Sequence, residues 1–148
     1  MRTDSKQPRT SAQGFTLIEL MIAVAVVAIL GSIAMASYTS QIQKSRRTDA
    51  RSAVMDLAGR EEKLFSTVNA YSGNASDLGY GAGPFPITIG SGYYSVNIAV
   101  PNPPISFVVT ATAIGSQAQD TKCATLSVDQ LGSQTSTGTE TAATCWGN

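Results

Sequence analysis

The sequence predicts an α+β chain in which a long N-terminal helix packs on a small antiparallel sheet, with a disulfide-bounded loop at the C-terminal end. Three observations support this prediction. An apolar stretch of helical length lies near the N-terminus, a run with apolar residues at helical spacing follows it, and short segments that alternate apolar and polar residues fill the second half. With 148 residues and an apolar share of 43%, the chain can form one modest core.

The N-terminal region changes character abruptly at Phe15. Residues 1–14 are polar and basic and are interpreted as a leader peptide, whereas residues 15–38 are hydrophobic and form a predicted transmembrane helix. A helix over 15–38 rises roughly 36 Å, enough to cross a bilayer core of roughly 30 Å. A secretory signal peptide ending at Ala34-Met35-Ala36 is the alternative, but this apolar region is longer than the usual 7 to 15 or so residues.

Glu19 is the informative residue of this helix. A carboxylate in a membrane-spanning segment costs about 2.5 to 3.5 kcal/mol when it is central, and less near an end. The next charge along the chain is Lys44, so the sequence neighbours of Glu19 offer no compensation. Glu19 therefore needs a partner from another molecule, unless it lies at headgroup depth as the solvated end of an ordinary anchor.

The segment Gly14-Phe15-Thr16-Leu17-Ile18-Glu19-Leu20-Met21 resembles the N-terminal motif of the type IV pilin family. In that family a prepilin peptidase cuts after the glycine, and the new terminal phenylalanine is methylated. The resemblance implies that the leader is removed between Gly14 and Phe15 and that Phe15 is N-methylated. It also implies that Glu19 meets the terminal ammonium of a neighbouring subunit during assembly.

The helix is predicted to continue over 39–68 as an amphipathic half, because no proline occurs between Phe15 and Val68. A basic cluster follows the membrane segment. We interpret it as a solvated helix face that contacts lipid phosphates, with intersubunit charge pairing and DNA capture as alternatives. The cluster consists of Lys44, Arg46, Arg47 and Arg51.

Residues 69–148 are predicted to form a globular head that begins with a long glycine-rich surface loop, 69–92. Three strands are predicted between about 93 and 129, where apolar and polar residues alternate. The apolar face of this sheet is expected to cover the apolar stripe of the helix. The predicted inward-facing sets are Tyr94, Val96, Ile98 and Val100; Ile105, Phe107, Val109 and Ala111; and Ala124, Leu126 and Val128.

The two cysteines, Cys123 and Cys145, fit a structural disulfide in an oxidising compartment better than a metal site, which needs more ligands. The region that they bound, 123–145, is rich in serine, threonine and glycine and is not expected to order itself by packing. Closing this loop is expected to stabilise the fold by about 3 kcal/mol. Trp146 is expected either to lie over the sheet or to be an exposed recognition residue.

The composition argues against catalysis. The chain has no histidine, the side chain most often used for proton transfer and metal binding near neutral pH. No catalytic triad and no paired acids within one element are recognisable, so the sequence predicts a protein that is not an enzyme, with no catalytic residues, cofactor or metal. Ten basic and ten acidic residues balance, so nucleic acid is not a favoured partner, although it stays open.

Shorter motifs narrow the resemblance. Lys44-Ser45-Arg46-Arg47, Cys123-Ala124-Thr125-Leu126 followed by Gln130-Leu131-Gly132, and the ending Cys145-Trp146 look like minor pilins of the PilE kind. The resemblance implies a structural subunit of a type IV pilus (fimbrium), a minor pilin that takes part in pilus assembly, twitching motility or cell adhesion. A major pilin, a pseudopilin of a type II secretion system, and a displayed adhesin or DNA-binding module are the alternatives.

The resemblance also implies partners and a location. The expected partners are other pilin subunits, the prepilin peptidase, the pilus assembly machinery and the inner membrane. Before assembly the prepilin is expected to be a single-pass inner-membrane protein with its head in the periplasm. After assembly it is expected in the extracellular pilus.

Overall fold

The computed structural model describes residues 14–89 and 92–147. Residues 1–13, which make up most of the predicted leader, lie outside the described residues, as do residues 90, 91 and 148. The chain divides into two compact units, Met1–Thr39 and Ser40–Asn148. Helix α1, Leu17–Val68, begins in the first unit and ends in the second. Its length of 52 residues confirms that one helix continues past the apolar stretch.

The first unit contains the N-terminal half of α1. Thr16 begins the helix in the manner of an N-cap, because its hydroxyl oxygen Oγ1 accepts a hydrogen bond from the backbone N–H of Glu19 at 3.3 Å. The few hydroxyl groups within this half bond to their own helix. Ser32 donates to the carbonyl of Ile29 at 2.7 Å, and Thr39 donates to the carbonyl of Met35 at 3.0 Å. Such internal bonds keep a polar side chain compatible with an apolar surrounding.

The second unit contains a five-stranded antiparallel sheet whose strands follow one another in chain order from edge to edge. Threonine and valine are frequent in these strands, as expected for residues that fit a pleated, half-buried surface. Each strand pairs with the next, for example Val96 with Ala111 and Thr110 with Ser127. The strands are β1, Ile87–Ile89; β2, Tyr94–Ala99; β3, Val108–Ala113; β4, Thr125–Asp129; and β5, Gln134–Thr137.

Two of these strands were not predicted. β1 lies inside the segment expected to be a loop, and β5 lies inside the Ser/Thr-rich segment expected not to order itself by packing. That second expectation is wrong, because β5 forms four residue pairs with β4 and extends the sheet. Threonine and serine side chains tolerate the edge of a sheet well, so a segment with few apolar residues still forms a strand when a neighbour offers its hydrogen bonds.

The core lies between one face of the sheet and one stripe of α1, and the predicted α+β architecture is therefore confirmed. In β2 and β4 the buried positions alternate with more exposed ones, as the predicted period of two requires. On the helix, buried residues recur every three or four positions. The stripe consists of Arg47, Ala50, Val54, Leu57 and Glu61, and the sheet side includes Tyr94, Val96, Ile98, Val109, Ala111, Leu126 and Val128.

A short 3₁₀ helix, Gly115–Gln119, connects β3 to β4, and helix α2, Ala142–Trp146, ends the described chain. Thr141 caps α2 by accepting the backbone N–H of Thr144 at 3.3 Å. Gly147 ends this helix in the left-handed region with a φ of 81°. Glycine adopts that conformation without the steric penalty that other residues meet.

Candidate functional site

The residues predicted to carry processing and assembly lie at the start of α1. Gly14 and Phe15 precede the helix and are exposed, with the Phe15 side chain 85% accessible. Glu19 lies in the first turn. A scissile bond outside regular structure is accessible to a protease, whereas a bond inside a helix is held by the helical hydrogen bonds.

The helix that follows presents apolar side chains in every direction. All residues from Gly14 to Ser40 whose burial is described are exposed, and the large apolar ones range from 49% accessible at Val26 to 85% at Phe15. Among the described residues, α1 is the one helix that is long and apolar enough to cross a membrane, and none of its most hydrophobic window is buried. A soluble monomer rarely exposes such a surface, so this segment needs an apolar environment from lipid or from other chains.

Glu19 has no cation beside it in the described part of the chain. The three ion pairs there lie in the second unit and use other carboxylates: Arg47 with Asp120, Arg60 with Asp56, and Lys122 with Glu140. The geometry therefore leaves the Glu19 carboxylate free to receive a partner from outside. Glu19 follows Phe15, the predicted new terminus, by four residues.

Arg47 does not belong to the solvated face predicted for the basic cluster. Its side chain is buried and forms a bidentate ion pair with Asp120, with Nε and Nη2 each 2.6 Å from a carboxylate oxygen. The hydrogen bond to Asp120 raises the already high pKa of the Arg47 guanidinium. Gln117 supports the pair by donating from Nε2 to Asp120 at 3.0 Å and to the Tyr94 hydroxyl at 3.2 Å. The pair fixes the β3–β4 connection to the helix.

The other three cations of the cluster lie on two flanks of α1. On one flank, the Arg46 guanidinium lies 3.5 Å from the centre of the Tyr93 ring and donates to the hydroxyl of Ser116 at 3.2 Å. On the other flank, Lys44 and Arg51 line an open hollow beside the C-terminal segment. The four cations of the cluster therefore lie in three different environments, namely the buried pair with Asp120, the flank beside Tyr93 and the open hollow, instead of on one solvated face.

Glu61 is a second charged residue on the buried stripe. Its side chain is fully buried, and Oε2 accepts the backbone N–H of Ser72 at 3.0 Å. The other oxygen, Oε1, has no hydrogen-bond partner among the described residues. Burial raises the pKa of this carboxyl group, and the negative charges of Asp77 and Glu62 add to the shift, whereas the Ser72 N–H lowers it. Glu61 holds the start of the loop that follows α1.

The predicted disulfide is present between Cys123 and Cys145, which are buried with a Cα–Cα distance of 5.7 Å. It joins the segment just before β4 to α2, 22 residues later in the chain. Trp146 is 6% exposed and donates from its ring N–H to the carbonyl of Thr135 at 2.9 Å. Of the two expectations for Trp146, the structure favours the ring that lies over the sheet, here at its β5 edge.

Arg47, Glu61, Gln117 and Asp120 are the structurally important polar residues that sequence reasoning missed. The two helix residues had a usable signal, because Arg47 and Glu61 are in register with Ala50, Val54 and Leu57 at helical spacing. Gln117 and Asp120 had no such signal in the sequence, since the polar segment between β3 and β4 looks like an ordinary surface connection. Within the part of the chain that the structure describes, no group of three or more metal-ligating side chains could hold a metal ion.

Comparisons with known proteins place these features in a family. A family model described as "Type IV minor pilin ComP, DNA uptake sequence receptor" matches residues 36–127, more than half of the chain. A second model, the prokaryotic N-terminal methylation motif, matches residues 9–35. The two matches together cover both the apolar half of α1 and most of the head.

Individual relatives are also similar. The chain is 35% identical over 80 residues to the type IV major pilin protein PilA of Myxococcus xanthus (strain DK1622), a match that covers 54% of this chain and 36% of that protein. It is 29% identical over 100 residues to the fimbrial protein EcpC of Eikenella corrodens, covering 68% and 61%. The chain thus spans about a third and three-fifths of the length of these relatives. A solved type IV pilin from Shewanella oneidensis is 23% identical, with a TM-score of 0.47 over 62% of this chain and 89% of that one.

Proposed function

The chain belongs to the type IV minor pilin family, as its sequence resemblance predicted, and on this premise we propose how it is processed, anchored and assembled. The prepilin is held in the inner membrane by residues 15–38 with its head in the periplasm. The prepilin peptidase removes residues 1–14 and Phe15 is methylated. The pilus assembly machinery then moves the subunit from lipid into the extracellular fibre, where it contributes to pilus assembly, twitching motility or adhesion.

The observation that carries this proposal is the exposed N-terminal half of α1 with a free carboxylate in its first turn. Transfer of an apolar helix from lipid into a bundle of similar helices changes its apolar surroundings little, so packing and polar pairing must decide the register. Cleavage after Gly14 creates an ammonium at Phe15, which is a charge that is costly to leave unpaired in hydrocarbon. Glu19 of an adjacent subunit offsets the cost of both charges.

The test is Glu19→Ala in cells that assemble pili. We expect the variant to remain in the membrane at the normal level, while its amount in sheared filaments, measured by quantitative mass spectrometry, falls about tenfold or more, since an unpaired buried charge costs several kcal/mol. Glu19→Asp keeps the charge and is expected to retain part of the incorporation.

Asp49→Ala is the matched control, because Asp49 is an exposed carboxylate on the same helix with no ion pair in the described residues. It is expected to assemble normally. Normal incorporation of Glu19→Ala would contradict the pairing. The mass of the mature N-terminus tests the processing separately, since the proposal requires the loss of residues 1–14 and the gain of one methyl group.

DNA capture is a second candidate, because the matching family model is described as a DNA uptake sequence receptor. The Arg46 guanidinium, which lies over the Tyr93 ring and forms no ion pair with a described residue, offers a cation to a phosphate. The balanced total charge argues for a weak interaction at most. Titration of the full chain in neutral detergent with duplex DNA at low and high salt decides this point, because phosphate binding requires an affinity that falls steeply with salt.

A further inference from the structure

The side of the sheet that faces away from α1 is a second surface of the head. In β2, β3 and β4, the residues that alternate with the buried core residues point to this side. Cross-strand partners share a side, so the strand pairing extends the assignment to β1 and β5. None of the strand residues on this side is buried.

The polar side chains on this side form two rows that run across the strands. Within each row, every residue is the cross-strand partner of the next. Eight of the nine side chains carry a hydroxyl group and the ninth carries an amide. We call these nine residues the hydroxyl face. The first row is Thr88, Ser95, Thr112, Thr125 and Thr137, one from each strand, and the second row is Asn97, Thr110, Ser127 and Thr135.

The geometry of a sheet sets the spacing of these groups. Neighbouring strands lie about 4.8 Å apart, and residues on one side of a strand repeat about every 6.7 Å. The first row therefore offers one hydroxyl group at each step of about 4.8 Å over a length of about 19 Å. Such a row is a repeating array and not a single pocket.

The hydroxyl face keeps most of its hydrogen-bonding capacity. Thr110 pairs with Ser127 at 3.0 Å, and Thr125 pairs with Thr137 at 2.7 Å. A hydroxyl group has one donor and two acceptor sites, so each of these pairs still offers one O–H donor and further acceptor sites. The remaining four hydroxyl groups form no side-chain hydrogen bond with a described residue, and they belong to Thr88, Ser95, Thr112 and Thr135.

The charge and size of this surface exclude several classes of ligand. No lysine, arginine or aromatic residue is among the described strand residues on this side, so nucleic acids and acidic ligands find no cation there. The one carboxylate, Asp129, lies beyond the rows and accepts the backbone N–H groups of Leu131 and Ser133. The hydroxyl face covers on the order of 300 Å². A stable protein interface buries about 800 Å² on each partner and relies on aromatic and arginine anchors, so a second copy of this chain fits poorly.

A neutral glycan has the complementary chemistry. Its hydroxyl groups both donate and accept hydrogen bonds, as those of the hydroxyl face do, and it brings no charge that would need a partner. The spacing of about 4.8 Å along a row is similar to the length of one sugar ring in an extended chain. Neighbouring strands are also rotated by about 20 to 25°, so a single chain that turns at its linkages can follow a row, whereas a rigid crystalline surface cannot.

We propose that the hydroxyl face binds a neutral, extended, β-linked glycan chain that lies along the five-hydroxyl row, with one sugar ring at each strand. The inference deepens the adhesion part of the proposed function, on which its biological role rests, by naming a class of ligand. Binding by the head needs no filament, so Glu19→Ala should leave it unchanged. A failure here is therefore distinct from a failure of the assembly proposal.

The experiment titrates the full chain with cellohexaose and follows the bound sugar by saturation-transfer NMR, which suits weak binding. The detergent is neutral and has a polyoxyethylene headgroup, because a sugar headgroup would compete with the ligand. We expect saturable binding of cellohexaose and much weaker binding of cellobiose, since two rings reach only two of the five strands. Binding of cellohexaose that does not saturate would overturn the proposal.

Thr112→Val removes a hydroxyl group from the middle of the row while keeping the size and strand preference of the side chain. It should weaken cellohexaose binding about five-fold, the usual contribution of one neutral hydrogen bond. The double variant with Thr88→Val should bind roughly 25-fold more weakly, because the two sites do not touch. Thr112→Ser keeps the hydroxyl group and should retain most of the affinity.

Thr67→Val is the matched control, because Thr67 is an exposed threonine on α1, the helix that packs on the opposite side of the sheet. It should bind cellohexaose like the unaltered chain. The fluorescence of Trp146, the single tryptophan, checks that each variant is folded. Equal losses in Thr67→Val and Thr112→Val, or an unchanged affinity in the double variant, would contradict binding at the hydroxyl face.

Two further arms test the class of glycan. A hexamer of galacturonic acid should bind no more tightly than cellohexaose at low salt. Tighter binding that disappears at high salt would assign the glycan to the basic residues of α1 and overturn the proposal. Microcrystalline cellulose that retains the chain when cellohexaose does not bind would assign the hydroxyl face to a rigid lattice and overturn the single-chain assignment.

Discussion

The two halves of helix α1 share one continuous backbone but differ in which of their side chains are buried. The half in the first unit is apolar on all sides, and its described side chains are exposed. The half in the second unit buries a narrow stripe of five residues and exposes the remaining surface to a greater or lesser degree. A helix that is apolar all round needs neighbours on every side, whereas a single stripe is satisfied by one sheet. The pattern of apolar residues therefore distinguishes the half of α1 that needs contacts from other molecules from the half that packs within its own chain.

The buried stripe also differs from the exposed half in whether its charged residues have partners within the chain. Arg47 and Glu61 lie near its two ends, and both are buried. Arg47 forms a bidentate pair with Asp120, whereas one oxygen of Glu61 has no partner within the part of the chain that the structure describes. In the apolar half, Glu19 has no partner in the described part of the chain, yet it is exposed and open to another subunit. The buried charges of the second unit find their partner groups within the same chain, and we propose that the charge in the apolar half finds its partner in another subunit.

The strongest test of this comparison breaks the matched pair in the head. Arg47→Met leaves the Asp120 carboxylate buried without its cation, and we expect the free energy of unfolding to fall by about 3 to 5 kcal/mol. The measurement is urea unfolding of the full chain in neutral detergent, followed through Trp146, which is 6% exposed and reports on the head.

Two variants control this result. Lys122→Met removes a cation whose side chain is 62% exposed, and the change should stay within about 0.5 kcal/mol because surface ion pairs contribute little. Arg47→Met combined with Asp120→Leu removes both buried charges and should lose less than the sum of the single variants. Equal losses in Arg47→Met and Lys122→Met would show that the buried pair does not hold the head together.

The next test compares one apolar residue from each half. Leu57→Ala empties a fully buried position, and we expect the same unfolding free energy to fall by about 3 kcal/mol, within the usual 2 to 5 for buried leucine. Leu30→Ala removes the same atoms from a side chain that is 61% exposed, and it should leave head unfolding within about 0.5 kcal/mol of the unaltered chain. A comparable loss in both variants would contradict the separation of the two halves.

Much of this organisation could be predicted from the sequence, because periodicity reports directly on burial. The continuous helix ends at Val68, and most residues of the three predicted inward sets are buried. Val100 and Ala124 are only partly buried, and the prediction for Ile105 is wrong, because Ile105 precedes β3 and is 67% exposed. The disulfide followed from an even cysteine pair. These features depend on local patterns that one chain carries in full.

The features that escaped prediction depend on distant partners. β1 is only three residues long and β5, Gln-Thr-Ser-Thr, contains no apolar residue, so the order of these edge strands depends on the hydrogen bonds of β2 and β4. Asp120 is separated from Arg47 by 73 residues, and only the folded sheet brings the two together. Arg47 was assigned to a solvated face because a charged residue in a basic run usually is solvated. Its register with Val54 and Leu57 carried more information than its charge.

The smallest expected effect concerns the unpaired oxygen of Glu61. Its pKa in the folded head is raised above the ordinary 4.5, chiefly by burial, so the folded state binds this proton more tightly than the unfolded state does. That contribution to stability is complete below about pH 4.5 and is lost as the pH rises through the folded pKa.

Glu61→Gln removes the ionisation. Its unfolding free energy should therefore rise relative to that of the unaltered chain between pH 4 and pH 7, by about 1 kcal/mol for a poorly paired buried group. Parallel profiles for Glu61→Gln and the unaltered chain would mean that Glu61 titrates alike in the folded and unfolded states, and that the buried stripe tolerates a half-matched charge without cost.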